Sequence, residues 1–104
     1  MSDNKILKRA NELFEEIRTI RRDVHMHPEL GYHENRTSAL IKAKLREYGV
    51  DNIEQPTPTS VVATIVGRNG EGKAIALRAD IDALPINEET GLEFASENDG
   101  VMHA

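Results

Sequence analysis

Two short runs, Val61-Val62-Ala63-Thr64-Ile65-Val66 and Lys73-Ala74-Ile75-Ala76-Leu77-Arg78-Ala79, are apolar at nearly every position rather than at alternate ones. Both are too short for an ordinary helix, and the first is rich in β-branched residues, so both read as strands. Gly67-Arg68-Asn69-Gly70-Glu71-Gly72 lies between them, with three glycines and an Asn-Gly pair. That composition predicts a turn joining an antiparallel hairpin of 61–66 with 73–79. A strand that is apolar on both sides needs protein over both faces of its sheet. Whatever this chain folds into must therefore supply two covering layers.

The rest of the chain offers little cover. Ile6, Ala10, Leu13, Ile17, Ile20 and Val24 recur at steps of three and four, with Leu7 and Phe14 beside them, which is the stripe of one amphipathic helix. Ser2 or Asp3 is a suitable cap, and Pro28 stops the helix near Met26. Pro28-Glu29-Leu30-Gly31 makes a turn. A second helix is predicted from Glu34 to Tyr48, with Thr37, Leu40, Ile41, Leu45 and Tyr48 on one side and Gly49 as its stop. After the Pro- and Thr-rich connector 55–59 and the hairpin, residues 80–104 show no period, and segments of that length tend to be functional or unfolded. Two helices cannot cover both faces of the sheet. The outline reads as the opening of an α/β domain, and the expectation is a chain truncated before the remaining strands and helices.

At 104 residues one domain is the limit, and 25 residues of Ile, Leu, Val and Phe allow only a thin core. No cysteine is present, so a metal site must be built from imidazole and carboxylate. No apolar run reaches the length of a membrane span, and the start lacks the apolar stretch of a secretory signal; the expectation is a soluble cytoplasmic protein with no membrane partner. Charge is uneven, about +2 up to Tyr48 and about −7 beyond it. The acidic second half repels phosphate backbones, which argues against a nucleic-acid partner and suits a bound cation.

Three places carry candidate chemistry. His25, His27 and His33 lie with Glu29 and Glu34 within ten residues, the donor types of a Zn²⁺ or Mn²⁺ site. Their spacing matches no helix-borne metal pair, and the plainer reading gives one imidazole to the helix C-terminus and the others to backbone bonds in the turn. Asp80 and Asp82 follow an apolar strand directly, where ligands collect in open α/β sheets. They suit a cation or a metal-orienting role, against the plainer reading of a solvated turn in which Arg78 pairs one carboxylate. His103, next to the last residue, reads by default as part of a frayed tail.

Read together, three phrases resemble a known family. They are Arg22-Asp23-x-His25-x-His27-Pro28-Glu29-Leu30-Gly31-x-x-Glu34-x-x-Thr37, then Leu77-Arg78-Ala79-Asp80-Ile81-Asp82-Ala83-Leu84-Pro85-Ile86-x-Glu88, then Ser96 with Gly100-Val101-Met102-His103-Ala104. In this order they are similar to the start of the metal-dependent amidohydrolases that include hippurate hydrolase, N-acyl-amino-acid amidohydrolase and auxin-conjugate hydrolases. The resemblance implies the N-terminal part of a zinc-exopeptidase-like catalytic domain over residues 1–104, without the satellite dimerisation domain of a homo-oligomeric parent. It implies Zn, Mn or Co in that parent and an N-acyl amino acid as its small-molecule substrate. The ion polarises the scissile carbonyl and acidifies a bound water, and a glutamate relays the proton.

By the same resemblance the final phrase continues in the family into Cys-Gly-His-Asp, whose Cys and His bind metal, and the general-base glutamate comes later still. Asp80 and Asp82 match the strand-end pair near the metal, and an orienting role is carried over to them, with no metal ligand assigned in this chain. The chain alone is then expected to hold no metal tightly and to be inactive. The alternatives are a non-catalytic module that binds a metal or another protein, and a piece that complements a separately encoded remainder.

Overall fold

A computed structural model describes residues 3–104. Helix α1 runs over Asp3–Met26 and α2 over Asn35–Glu47, and two short strands follow, β1 at Ile53–Glu54 and β2 at Val62–Ala63. The helices match the sequence periods. The cap expected at Ser2 or Asp3 lies outside the described side chains. Proline at 28, buried and unable to continue the helix, follows two residues after α1 ends.

Helix α2 ends as its sequence requires. Gly49, at φ 87°, donates to Arg46 O at 3.0 Å, and Val50 donates to Leu45 O at 2.9 Å, which is the Schellman closure of a helix. Its start is less usual, because Glu34 in the cap position makes no side-chain capping bond. Glu29 takes that role from the preceding turn. Its carboxylate accepts the Arg36 amide at 2.9 Å, the Thr37 amide at 2.6 Å and the Thr37 hydroxyl at 2.7 Å. Burial works to raise the Glu29 pKa, but the Thr37 hydroxyl, the two amides and the Arg36 guanidinium outweigh it and hold the carboxyl below its ordinary value.

The antiparallel pair is present, with a different partner from the one the turn at 67–72 predicts. β2 pairs with β1, Ile53 opposite Ala63 and Glu54 opposite Val62, and Thr64 N adds a bond to Asn52 O at 2.9 Å. The connector between them is tied by Gln55, which donates to Pro58 O at 2.8 Å and accepts from Lys42 of α2 at 3.1 Å. Residues 73–79 belong to no strand, and Ile75 and Leu77 are 91% and 95% exposed. The physical reason lies in their two-sided apolar character. Pairing them with β2 buries nothing unless layers cover the pair, and an uncovered two-stranded hairpin is marginal in water.

Order concentrates elsewhere, where the turn after α1 meets the segment after 79. Leu30 bridges Ala83 in parallel, and Leu84 bridges Met102 antiparallel. Ala83 donates to Glu29 O at 2.8 Å, and Leu84 and Met102 exchange bonds of 2.9 and 3.0 Å. Ala83, Pro28, Thr37 and Ser38 are the buried centre of this corner. Along α1, Leu13, Ile20 and Val24 are half-buried, whereas Ile6, Leu7, Phe14 and Ile17 stay exposed. The radius of gyration, 16.3 Å, exceeds the roughly 13 Å of a compact domain of this size. Among the described residues no helix is long and apolar enough to cross a membrane.

Candidate functional site

The histidine cluster of the sequence disperses in space. His25, in the last turn of α1, meets Glu88 across 63 residues at 2.9 Å, in a pair whose side chains are 12% and 5% exposed. His27 Nδ1 lies 2.8 Å from Asp23 O, the backbone bond of the plainer reading, and its Nε2 lies 3.2 Å from Glu97. Asp23 in turn accepts Arg36 at 2.8 Å. Glu29 caps α2, His33 is exposed, and Glu34 is buried with Oε1 unpartnered. Proline at 28 turns the chain between these residues, so their closeness in sequence does not become closeness of donors.

Glu88 organises the segment beyond Asp82. Its Oε1 accepts His25 Nε2 and the Ser96 amide, the latter at 2.8 Å, and its Oε2 accepts the Thr90 hydroxyl. The Thr90 hydroxyl, then the Ser96 amide, hold its pKa below the ordinary value; burial opposes them and His25 assists. Ser96 Oγ donates onward to Val101 O at 2.7 Å, and the Glu97 amide donates to Met26 O at 2.8 Å. The unpatterned stretch 80–104 is thus ordered by side-chain carboxylate, hydroxyl and backbone bonds rather than by helix or strand. Sequence periodicity has no means of registering such order.

Asp80 and Asp82 follow 73–79, which is not the strand that the sequence predicts, and they face different surroundings. Asp80 pairs with Arg78 at 2.9 Å with both side chains largely exposed, the contact of the plainer reading. It also lines a cavity of about 350 Å³ with His25, Thr37, Ile41, Ile81 and His103. Asp82 lies by Gly31, where an added Cβ would meet its carboxylate at 3.8 Å. The expected frayed tail is not seen: Met102 is held to Leu84, and His103 is half-buried against His25, ring centroids 6.5 Å apart. Burial, with His25 beside it, pushes the His103 pKa below the usual histidine range, and Asp82 pulls weakly the other way. His103 Nε2 is buried without a hydrogen-bond partner.

Among the described residues no three His, Asp or Glu side chains stand together where they would hold a metal ion. Asp80, His25 and His103 line the same cavity, but His25 Nε2 is committed to Glu88.

No family model matches the chain. It is 41% identical over its whole length to an N-acyl-L-amino acid amidohydrolase of Geobacillus stearothermophilus, covering 28% of that protein. Over 82% of the chain it is 53% identical to an N-acetyl-L-cysteine deacetylase of Bacillus subtilis, covering 20% of it. The chain is homologous to these amidohydrolases. A hippurate hydrolase of Campylobacter jejuni is 43% identical over 86% of the chain. Among solved structures, a dinuclear metal-binding peptidase of the M20 family from Bacillus subtilis superposes with a TM-score of 0.82 at 44% identity, over 89% of this chain and 26% of that one. The homologue spans only a fifth to somewhat over a quarter of these relatives' length, and its two helices and antiparallel pair are part of the M20 peptidase fold.

Proposed function

We propose that residues 1–104 form the N-terminal portion of the catalytic domain of a metal-dependent amidohydrolase that cleaves the amide bond of N-acyl amino acids. The observation that carries this reading is the cavity at the end of 73–79, lined by His25, Asp80 and His103, beside which the His103 Nε2 is buried without a partner. A polar nitrogen buried without a partner is costly, so such an atom marks a place where a further group belongs. Homology to enzymes named for N-acyl amino acids supplies the substrate class.

In this reading Asp80 and Asp82 orient the groups of the completed site, and Arg78 pairs with Asp80. Zn, Mn or Co, when held by ligands from outside these 104 residues, supplies Lewis acidity toward the scissile carbonyl. The chain alone is inactive, the complete enzyme is a cytoplasmic homo-oligomer, and its satellite domain lies outside 1–104.

The test is a chimera in which this chain replaces the matching segment of the Geobacillus amidohydrolase. Metal-dependent hydrolysis of N-acetyl amino acids is expected from it, and none from the isolated chain. A soluble, folded chimera without turnover would overturn the reading. A cooperative melt of the isolated chain whose midpoint rises with zinc would instead favour a metal-binding module.

A further inference from the structure

Glu29 is tied in two directions at once. Its carboxylate accepts the Arg36 and Thr37 amides and the Thr37 hydroxyl at the start of α2, and its main-chain carbonyl accepts the Ala83 amide at 2.8 Å. The first tie reaches a wall of the Asp80 cavity, because Thr37 lines it. The second reaches the acid segment, because Ala83 follows Asp82 directly and is 3% exposed. Asp80 and Asp82 are themselves exposed, and the run before them belongs to no strand. The solvated pair of Asp80 with Arg78 adds little order of its own.

We infer that Glu29 is a positioning residue of the proposed site, holding Asp82 and the segment 80–83 at a fixed distance from α2. The inference rests on the amidohydrolase reading, in which Asp82 orients groups of the completed site. Leu30 bridges Ala83 in parallel, and a Cβ added to Gly31 would stand 3.8 Å from the Asp82 carboxylate, so the turn runs alongside the acid segment. The turn is braced on its other sides as well. His33 N donates to Leu30 O at 2.9 Å, and Asn98 Nδ2 donates to Pro28 O at 3.3 Å. A turn braced in this way shifts as a body. The carboxylate that docks it on α2 therefore also sets where Ala83, and Asp82 beside it, come to rest.

The chemistry of the tie asks for a carboxylate. Arg36 N reaches Oε2, and both Thr37 groups reach Oε1. A carboxylate accepts at both oxygens, whereas an amide sets an NH₂ group against one of these donors. Glu29→Gln is thus a change of nearly equal size that loosens the tie without emptying space.

The experiment has two arms. On the 104-residue chain, Glu29→Gln is expected to shift the NMR signals of the Asp82 carboxyl carbon and the Ala83 amide together with those of Arg36 and Thr37. A role confined to capping α2 would move the helix signals and leave Asp82 and Ala83 in place, and that result would overturn the inference. In the chimera, Glu29→Gln is expected to lower kcat about tenfold or more with KM within about twofold, since a displaced orienting group acts on the reacting centre rather than on binding. Gly49→Ala, which strains the φ 87° stop at the far end of α2, is the control and is expected to lower the melting temperature while keeping kcat within about twofold. An equal loss of kcat in Gly49→Ala, or an unchanged kcat in Glu29→Gln, would remove the positioning role and leave the amidohydrolase reading standing. An inactive parent chimera would count against that reading instead, while the signals of the isolated chain still decide whether Glu29 holds Asp82. If Glu29→Gln does not fold, Thr37→Val removes one of the three donors, and the same shifts at Asp82 and Ala83 are expected; their absence would sink the inference.

Discussion

The corner where α1 ends is locked although its buried residues are mostly small or polar, whereas the more apolar stretch at 65–79 is open. At the corner, Pro28, Thr37, Ser38 and Ala83 are buried, and Glu29 and Glu88 each gather three donors. At 65–79, Ile65, Val66, Ile75 and Leu77 stand 58% to 95% exposed. The difference teaches that local order here comes from carboxylates tying distant segments together. Hydrophobic burial, which needs two layers around a two-sided strand, contributes little outside the corner.

The comparison breaks most sharply at Glu29. Glu29→Ala strips three donors from the start of α2 and is expected to cost about 2 kcal/mol or more, read as a lower urea midpoint. A second test is acid. Glu29 and Glu88 both have folded pKa values below the ordinary 4.5, so the unfolded chain takes up protons first as pH falls. The stability they contribute is complete above about pH 4.5 and is lost as pH drops through their lowered folded values. Amide exchange at Thr37 and Ser96 should therefore accelerate in acid, and Glu29→Gln should flatten the dependence at Thr37.

Smaller effects sharpen the contrast. Tyr32 is 93% exposed and sits at φ 67°, a left-handed backbone that strains a bulky L-residue. Tyr32→Asn is expected to stabilise the corner by about 0.5–1 kcal/mol, measured by thermal melting. Leu77→Ser should change the stability of the 104-residue chain by less than about 0.5 kcal/mol, since Leu77 already faces water. In the active chimera the same substitution is expected to lower the melting temperature by several degrees. An equal response in both would mean that 73–79 is uncovered there too.

Much of the secondary structure was legible. The stripe from Ile6 to Val24 and the Gly49 stop gave α1 and α2 within a residue or so of their ends, because helix period and termination are local properties. The pairing of β1 with β2 was not legible, since Ile53–Glu54 is too short for any pattern and its partner was chosen by a tied connector. The site divided in the same way. Asp80 stood where an apolar run ends, whereas the His25–Glu88 pair joins residues 63 apart and left no mark beyond its place in motif phrases.

By itself, the sequence determined the two helices, their ends, the exposed acids that follow the apolar run 73–79 and the amidohydrolase kinship carried by three ordered phrases. These rest on near neighbours in the chain or on residue identity alone. Tertiary structure decided which carboxylate caps α2, which strands pair, and that His103 packs beside His25 while Glu88 holds that neighbour. Such outcomes depend on which distant donors meet in space, and hydrogen bonds between groups tens of residues apart impose no period on the chain that carries them.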